Sequence, residues 1–89
     1  MEKYMKVRIE QCLENLRTKT IKITQIGFIV TQFFIYDLIY IIQNDILNLR
    51  DKTKEIYISI NLKQVYKVEI KESNLILYLD NDTKIKIDL

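Results

Sequence analysis

The sequence predicts an α+β domain: an N-terminal helical hairpin packed on a four-stranded antiparallel β-meander. Three observations carry this reading. Apolar residues before position 52 recur at i, i+3, i+4 and i+7, the spacing of one helix face. From position 55 the period changes to two, the spacing of half-buried strands. The chain contains no Pro and a single Gly, Gly27, so composition marks no linker between the two parts. The 89 residues are read as one domain, helical over 1–52 and β over 55–89, with 51–54 (DKTK) as the one plausible hinge.

The first helix is expected over residues 2–17. Met5, Ile9, Cys12, Leu13 and Leu16 share one face, and Glu2, Lys3, Lys6, Glu10, Glu14 and Arg17 take the other. Residues 18–25 form a polar connector or a short strand. A second helix is expected from about residue 25 to 51. Its later part carries the stripe Ile35, Leu38, Ile39, Ile42, Ile46 and Leu49. Its earlier part, 26–34, is apolar nearly all round and suits a buried strand as well as a helix, because β-branched and aromatic side chains fit a pleated surface.

Four strands follow. Ile56, Ile58, Ile60 and Leu62 alternate with polar neighbours. So do Tyr66, Val68 and Ile70, and then Ile85, Ile87 and Leu89; between them Leu75, Leu77 and Leu79 alternate with Ile76, Tyr78 and Asp80. Breaks fall at 62–65, 72–74 and 81–83. A one-residue slip would turn every side chain to the wrong face, so apolar residues must oppose apolar residues. That parity pairs Ile60 with Val68, Val68 with Leu77, and Leu77 with Ile87. On the outer face it aligns Asn61, Lys67, Tyr78 and Lys86 in one row. Ser59, Glu69, Ile76 and Asp88 form the next. The tail resembles the closing hairpins of many small β modules, among them the end of some bacterial response-regulator DNA-binding domains, but it holds no diagnostic motif.

Composition excludes much chemistry. Without His there is no imidazole base, no Ser-His-Asp triad and none of the usual zinc sites. One Gly cannot build a phosphate-cradling loop, and one Cys can form no internal disulfide. Fourteen basic against twelve acidic residues leave a net charge of +2, too even to require nucleic acid. The lone thiol fits a reducing, cytoplasmic setting. Seventeen Ile, eleven Lys and six Asn suggest an AT-rich coding sequence, as in a low-GC bacterium, its phage or a plasmid.

Individual side chains add little catalytic promise. Cys12 lies on the apolar helix face with no base to activate it. Asp80 and Asp82 begin like a calcium loop. Ile85 stands where such a loop needs Gly, so the pair reads as a hairpin turn. Asp37 reads as part of a polar helix face. Residues 26–42 are the most apolar stretch but are shorter than the roughly 20 residues of a membrane span, and they include Asp37. No enzyme activity, cofactor or metal is expected.

Two binding surfaces remain. Phe28, Phe33, Phe34, Tyr36 and Tyr40 exceed what one small core needs, and aromatic residues are favoured at interface centres. They point to a protein interface, either with a larger protein whose surface this module masks or with a second copy in a homodimer. An inhibitor of a host defence nuclease, carried on a mobile element, is one concrete form. The alternative is a nucleic-acid-binding regulator in which Tyr57, Lys67, Tyr78 and Lys86 stack bases and pair with phosphates on the sheet face.

Overall fold

The computed structural model describes residues 2–72 and 74–89. Among them the chain forms one α-helix and eight strands in two antiparallel sheets, not a helical hairpin on a four-stranded meander. The elements are α1 (Lys3–Leu16), β1 (Ile21–Ile26), β2 (Val30–Ile35), β3 (Ile39–Gln43), β4 (Ile46–Arg50), β5 (Tyr57–Asn61), β6 (Val65–Lys71), β7 (Asn74–Leu79) and β8 (Thr83–Asp88). A five-stranded sheet runs β2-β1-β8-β7-β6, and a three-stranded sheet runs β3-β4-β5.

Helix α1 follows the expected face: Ile9, Leu13 and Leu16 are buried, and Cys12 packs beside them. Polar contacts fix it on the small sheet. The Lys6 ammonium lies 2.6 Å from Asp45 Oδ1 at the β3–β4 turn, and the Tyr40 hydroxyl on β3 donates to Glu14 Oε2 at 2.6 Å. On the other side α1 meets β7 of the large sheet. The helix therefore bridges the two sheets over a single core that draws on both. Ile21, Ile23, Leu75, Leu77 and Ile87 come from the large sheet, and Leu47, Leu49 and Ile60 from the small one.

The expected second helix over 25–51 does not form. Its stripe is a coincidence of spacing between separate strands. Ile26 and Val30 close the β1–β2 hairpin around Gly27, Phe28 and Ile29. At Asp37 (φ 53°) the chain turns a left-handed corner. Leu38 is then held by backbone hydrogen bonds to Thr18 and Lys19, at 3.0 and 3.1 Å. Asn44 and Asp45, both left-handed (φ 54° and 63°), join β3 to β4. Two consecutive positive-φ residues are the signature of the hairpin turn whose twist matches its strands, and Asn and Asp tolerate that conformation best among non-Gly residues. The physical reason for strands over helix is coverage. A helix greasy all round needs neighbours on every side, whereas short strands place Ile35, Leu47 and Leu49 on an inner face and turn their alternate residues outward.

The β half is also rearranged. Strand β5 pairs with β4, setting Ile60 against Leu47 instead of Val68. A 3₁₀ turn, Leu62–Gln64, capped by the Asn61 side chain on the Lys63 amide at 3.0 Å, redirects the chain from the small sheet to the large one. The β6–β7 register matches parity, with Val68 opposite Leu77 and Lys67 opposite Tyr78. The expected break at 72–74 holds Ser73, which lies outside the described residues. Strand β8 sits two residues from its expected register: Leu77 faces Ile85, and Ile87 faces Leu75. The turn between β7 and β8 contains Asp80 and Asp82, as the hairpin reading of DNDT requires.

Leu47 distinguishes this arrangement from a helix, whose inward stripe would take Ile46 and Leu49 instead. Leu47→Ala should lower unfolding free energy in denaturant titrations by about 2–5 kcal/mol, the usual cost of emptying a buried Leu site. Gln43→Ala, at an exposed position in the same hairpin, should change it little.

Candidate functional site

The β1–β2 hairpin carries the greatest exposure of large apolar side chains. Phe28 at its tip is fully exposed (105%), followed by Ile29 (71%), Val30 (61%), Tyr36 (60%) and Phe34 (50%). Three of the five expected interface residues, Phe28, Phe34 and Tyr36, thus emerge together on one element and its exit. Phe33 and Tyr40 do not join them; both pack against the core. Tyr40 is further engaged by Glu14 and by the Arg17 guanidinium, 5.3 Å above its ring. The bond to Glu14 and burial push its phenol above the ordinary range.

Strand β2 is also an edge. It pairs with β1 on one side, and no described strand lies on the other. Exposed edges normally carry charge, Pro or a bulge that discourages further pairing. The sequence of β2, VTQFFI, has no charged residue and no Pro, and its ladder with β1 runs without interruption. The opposite edge of the same sheet is defended. Strand β6 has a bulge between Val65 and Lys67 and carries Lys67, Glu69 and Lys71. Sequence reasoning missed Ile29, Val30 and the edge itself. The signal was the uncharged run from Ile23 to Tyr36, which contains the single Gly.

The second surface is the outer face of the five-stranded sheet. The registers place Lys67, Tyr78 and Lys84 in one row, Glu69, Ile76 and Lys86 in the next, and Lys71, Asn74, Asp88 and Lys22 in the third. Lys67 and Tyr78 are adjacent as expected. Lys84, not Lys86, stands opposite Tyr78. Tyr57 is on β5 in the other sheet and does not join the group. The ammoniums of Lys67 and Lys84 lie 5.1 and 5.5 Å from the Tyr78 ring centre, and the Tyr66 ring is 6.3 Å away. Both acids of this face are engaged: Lys67 reaches Glu69 at 3.4 Å, and Lys86 reaches Asp88 at 3.5 Å. The Tyr78 hydroxyl donates to Glu69 Oε1 at 2.9 Å. That bond holds the Glu69 carboxyl below its usual range and raises the Tyr78 phenol.

The other candidates offer little chemistry. Burial pushes the Cys12 thiol up, away from a reactive thiolate. It lines a shallow depression of about 220 Å³ with Arg8, Asn15, Ile70 and Glu72. A second depression of about 310 Å³ lies between Ile41, Asn48, Arg50, Lys54 and Tyr57 on the small sheet. Asp37 is exposed at its backbone corner. Among the described residues, no three acidic or Cys side chains gather as a metal site would require. Nor is any described helix long and apolar enough to cross a membrane. Comparison with protein families, with characterised proteins and with solved structures found no match.

Replacing the acceptor tests the Tyr78 geometry. In Glu69→Gln, an NMR pH titration of the Tyr78 ring should show its midpoint moving down toward the ordinary tyrosine value. The sign of the linkage follows. The raised phenol contributes stability that is complete below its unfolded pKa and is lost as pH rises through the folded one. The depressed carboxyl contributes stability that is complete above its unfolded pKa and is lost as pH falls through the folded one.

Proposed function

We propose that this protein is a non-catalytic protein-binding module whose contact element is the β1–β2 hairpin, and that it acts by covering a surface of the polypeptide it binds. The observation that carries the reading is the coincidence, on β2, of an undefended sheet edge with exposed Phe28, Ile29, Val30 and Phe34. An edge strand recognises its partner by β-augmentation: backbone hydrogen bonds supply affinity, and alternate side chains supply selectivity. Apolar side chains grouped at such an edge are the material of an interface centre. Masking a protein surface is the mode of action this element suits, whether that surface belongs to a larger protein that it inhibits or to a second copy of the chain. His is absent, and burial raises the pKa of the one thiol, Cys12, away from the reactive thiolate, which supports a binding role over a catalytic one.

A second reading assigns the outer sheet face to a nucleic acid. What favours it is the balance there: five lysines (Lys22, Lys67, Lys71, Lys84, Lys86) against Glu69 and Asp88, with Tyr66 and Tyr78 among them. Stacking on the rings and phosphate contacts from the lysines would give binding that weakens steeply with salt.

The two surfaces separate cleanly by mutation. Val30→Lys with Phe34→Lys should abolish recovery of a protein partner in affinity capture while leaving the thermal melt cooperative. Lys67→Glu with Lys86→Glu should leave that recovery intact. The opposite pattern, with salt-sensitive binding of DNA or RNA lost in the lysine variant alone, would replace the first reading by the second.

A further inference from the structure

We infer that the strand received by β2 is β2 of a second copy, paired antiparallel about Gln32. This deepens the binding-module reading and rests on it. The argument is the chemical order of the strand. Residues 30–34 read Val, Thr, Gln, Phe, Phe: two β-branched residues, an amide, two aromatic residues. An antiparallel copy centred on Gln32 sets Val30 against Phe34 of the partner and Thr31 against Phe33 of the partner, each twice by symmetry. β-branched residues opposite aromatic ones are among the favourable cross-strand pairs. The two Gln32 amides meet at the axis; one N–H of each donates to Thr24 Oγ1 at 3.5 Å, which leaves the second N–H and the carbonyl oxygen to offer.

The same register extends beyond the strand. Phe28 falls opposite Tyr36 of the partner, so that the most exposed large apolar side chain among the described residues meets another exposed ring. One alignment thus covers Phe28, Val30, Phe34 and Tyr36 together. A two-fold axis normal to the sheet keeps outer face with outer face. Val30 and Phe34 then meet on the outer side, and Thr31 and Phe33 on the inner side.

Charge points the same way. A partner selected by charge finds no counter-charge on β2, whereas a second β2 meets no like charge. The lysines of the outer face begin on β1 with Lys22, across from Phe34, and most lie on β8 and β6. They stay clear of the seam. The product is one antiparallel sheet with β2 against β2 at its centre and the bulged, charged β6 at each end. Its ten strands lie near the upper size of twisted open sheets, about 10 strands. Closed two-fold pairing of this kind consumes the open edge of β2 and leaves the five-stranded sheet with its bulged, charged β6 edge.

Directly opposed antiparallel residues have Cα atoms about 4.5–5.5 Å apart, within the span a disulfide bridges. In a Cys12→Ser background, Gln32→Cys is therefore expected to form a covalent dimer under mild oxidation. Thr31→Cys alone should not, but mixed with Phe33→Cys it should cross-link. Sedimentation of the unmodified protein should show a concentration-dependent doubling of mass, lost in Val30→Lys with Phe34→Lys. Circular dichroism on that variant checks that it remains folded. A strict monomer with no Gln32→Cys cross-link overturns the inference. If that monomer still captures another protein through the hairpin, the binding-module reading survives without the second copy. A dimer that persists in the lysine variant also overturns the inference, and capture of another protein that persists in that variant overturns the hairpin reading as well.

Discussion

Strand β1 is the joint on which the molecule depends. It pairs with β2, its neighbour along the chain, and with β8 at the far end of the sequence. Ile21 and Ile23 on its inner face are wholly buried. Without the β1–β8 ladder the five-stranded sheet would divide into a hairpin and a separate three-stranded meander, each with a greasy face and too little to cover it. A two-stranded hairpin is marginal alone in water. The ladder gathers two otherwise inadequate pieces around one core, and α1 seals that core by reaching both sheets.

The parts of this fold that were legible in the sequence are those fixed by local pattern. Helix α1 declares itself through Ile9, Leu13 and Leu16, with charges on the opposite side. The β6–β7 register follows from parity, because Val68 and Leu77 must share a face. Parity alone fixes the face and leaves the count open, so β8 lands two residues from its expected place, on the correct side of the sheet. Residues 25–51 were misread for a different reason. Isoleucine is so abundant there that a helical stripe can be drawn through strands that never share a helix. The decisive marks were small: Gly27, Asp37, and the Asn44–Asp45 pair that makes a hairpin turn.

The exposed aromatic surface is legible in the sequence only in part. The sequence shows many aromatic residues over 28–40, but its spacing assigns them to a greasy helix. The structure divides the set by strand parity and by neighbours. Phe33 turns inward, Tyr40 is drawn under α1 by Glu14, and Phe28, Phe34 and Tyr36 are left outside. What composition could not reveal is that β2 ends the sheet. Edge position is a property of topology, and topology here turns on the long-range choice of β8 as the partner of β1.

That choice has a kinetic consequence. Contacts between residues far apart along a chain require closure of a large loop before they yield any stabilisation, so folds rich in them assemble slowly. Lys22 opposite Asp88 joins a strand that directly follows α1 to the last strand of the described chain. Until it forms, β1 offers a second open flank beside the uncharged β2, and the hairpin resembles an adhesive strip exposed on both sides. Such intermediates are prone to aggregate. Closing so large a loop slows the return of a thermally unfolded chain to its native form and lengthens the exposure of that strip.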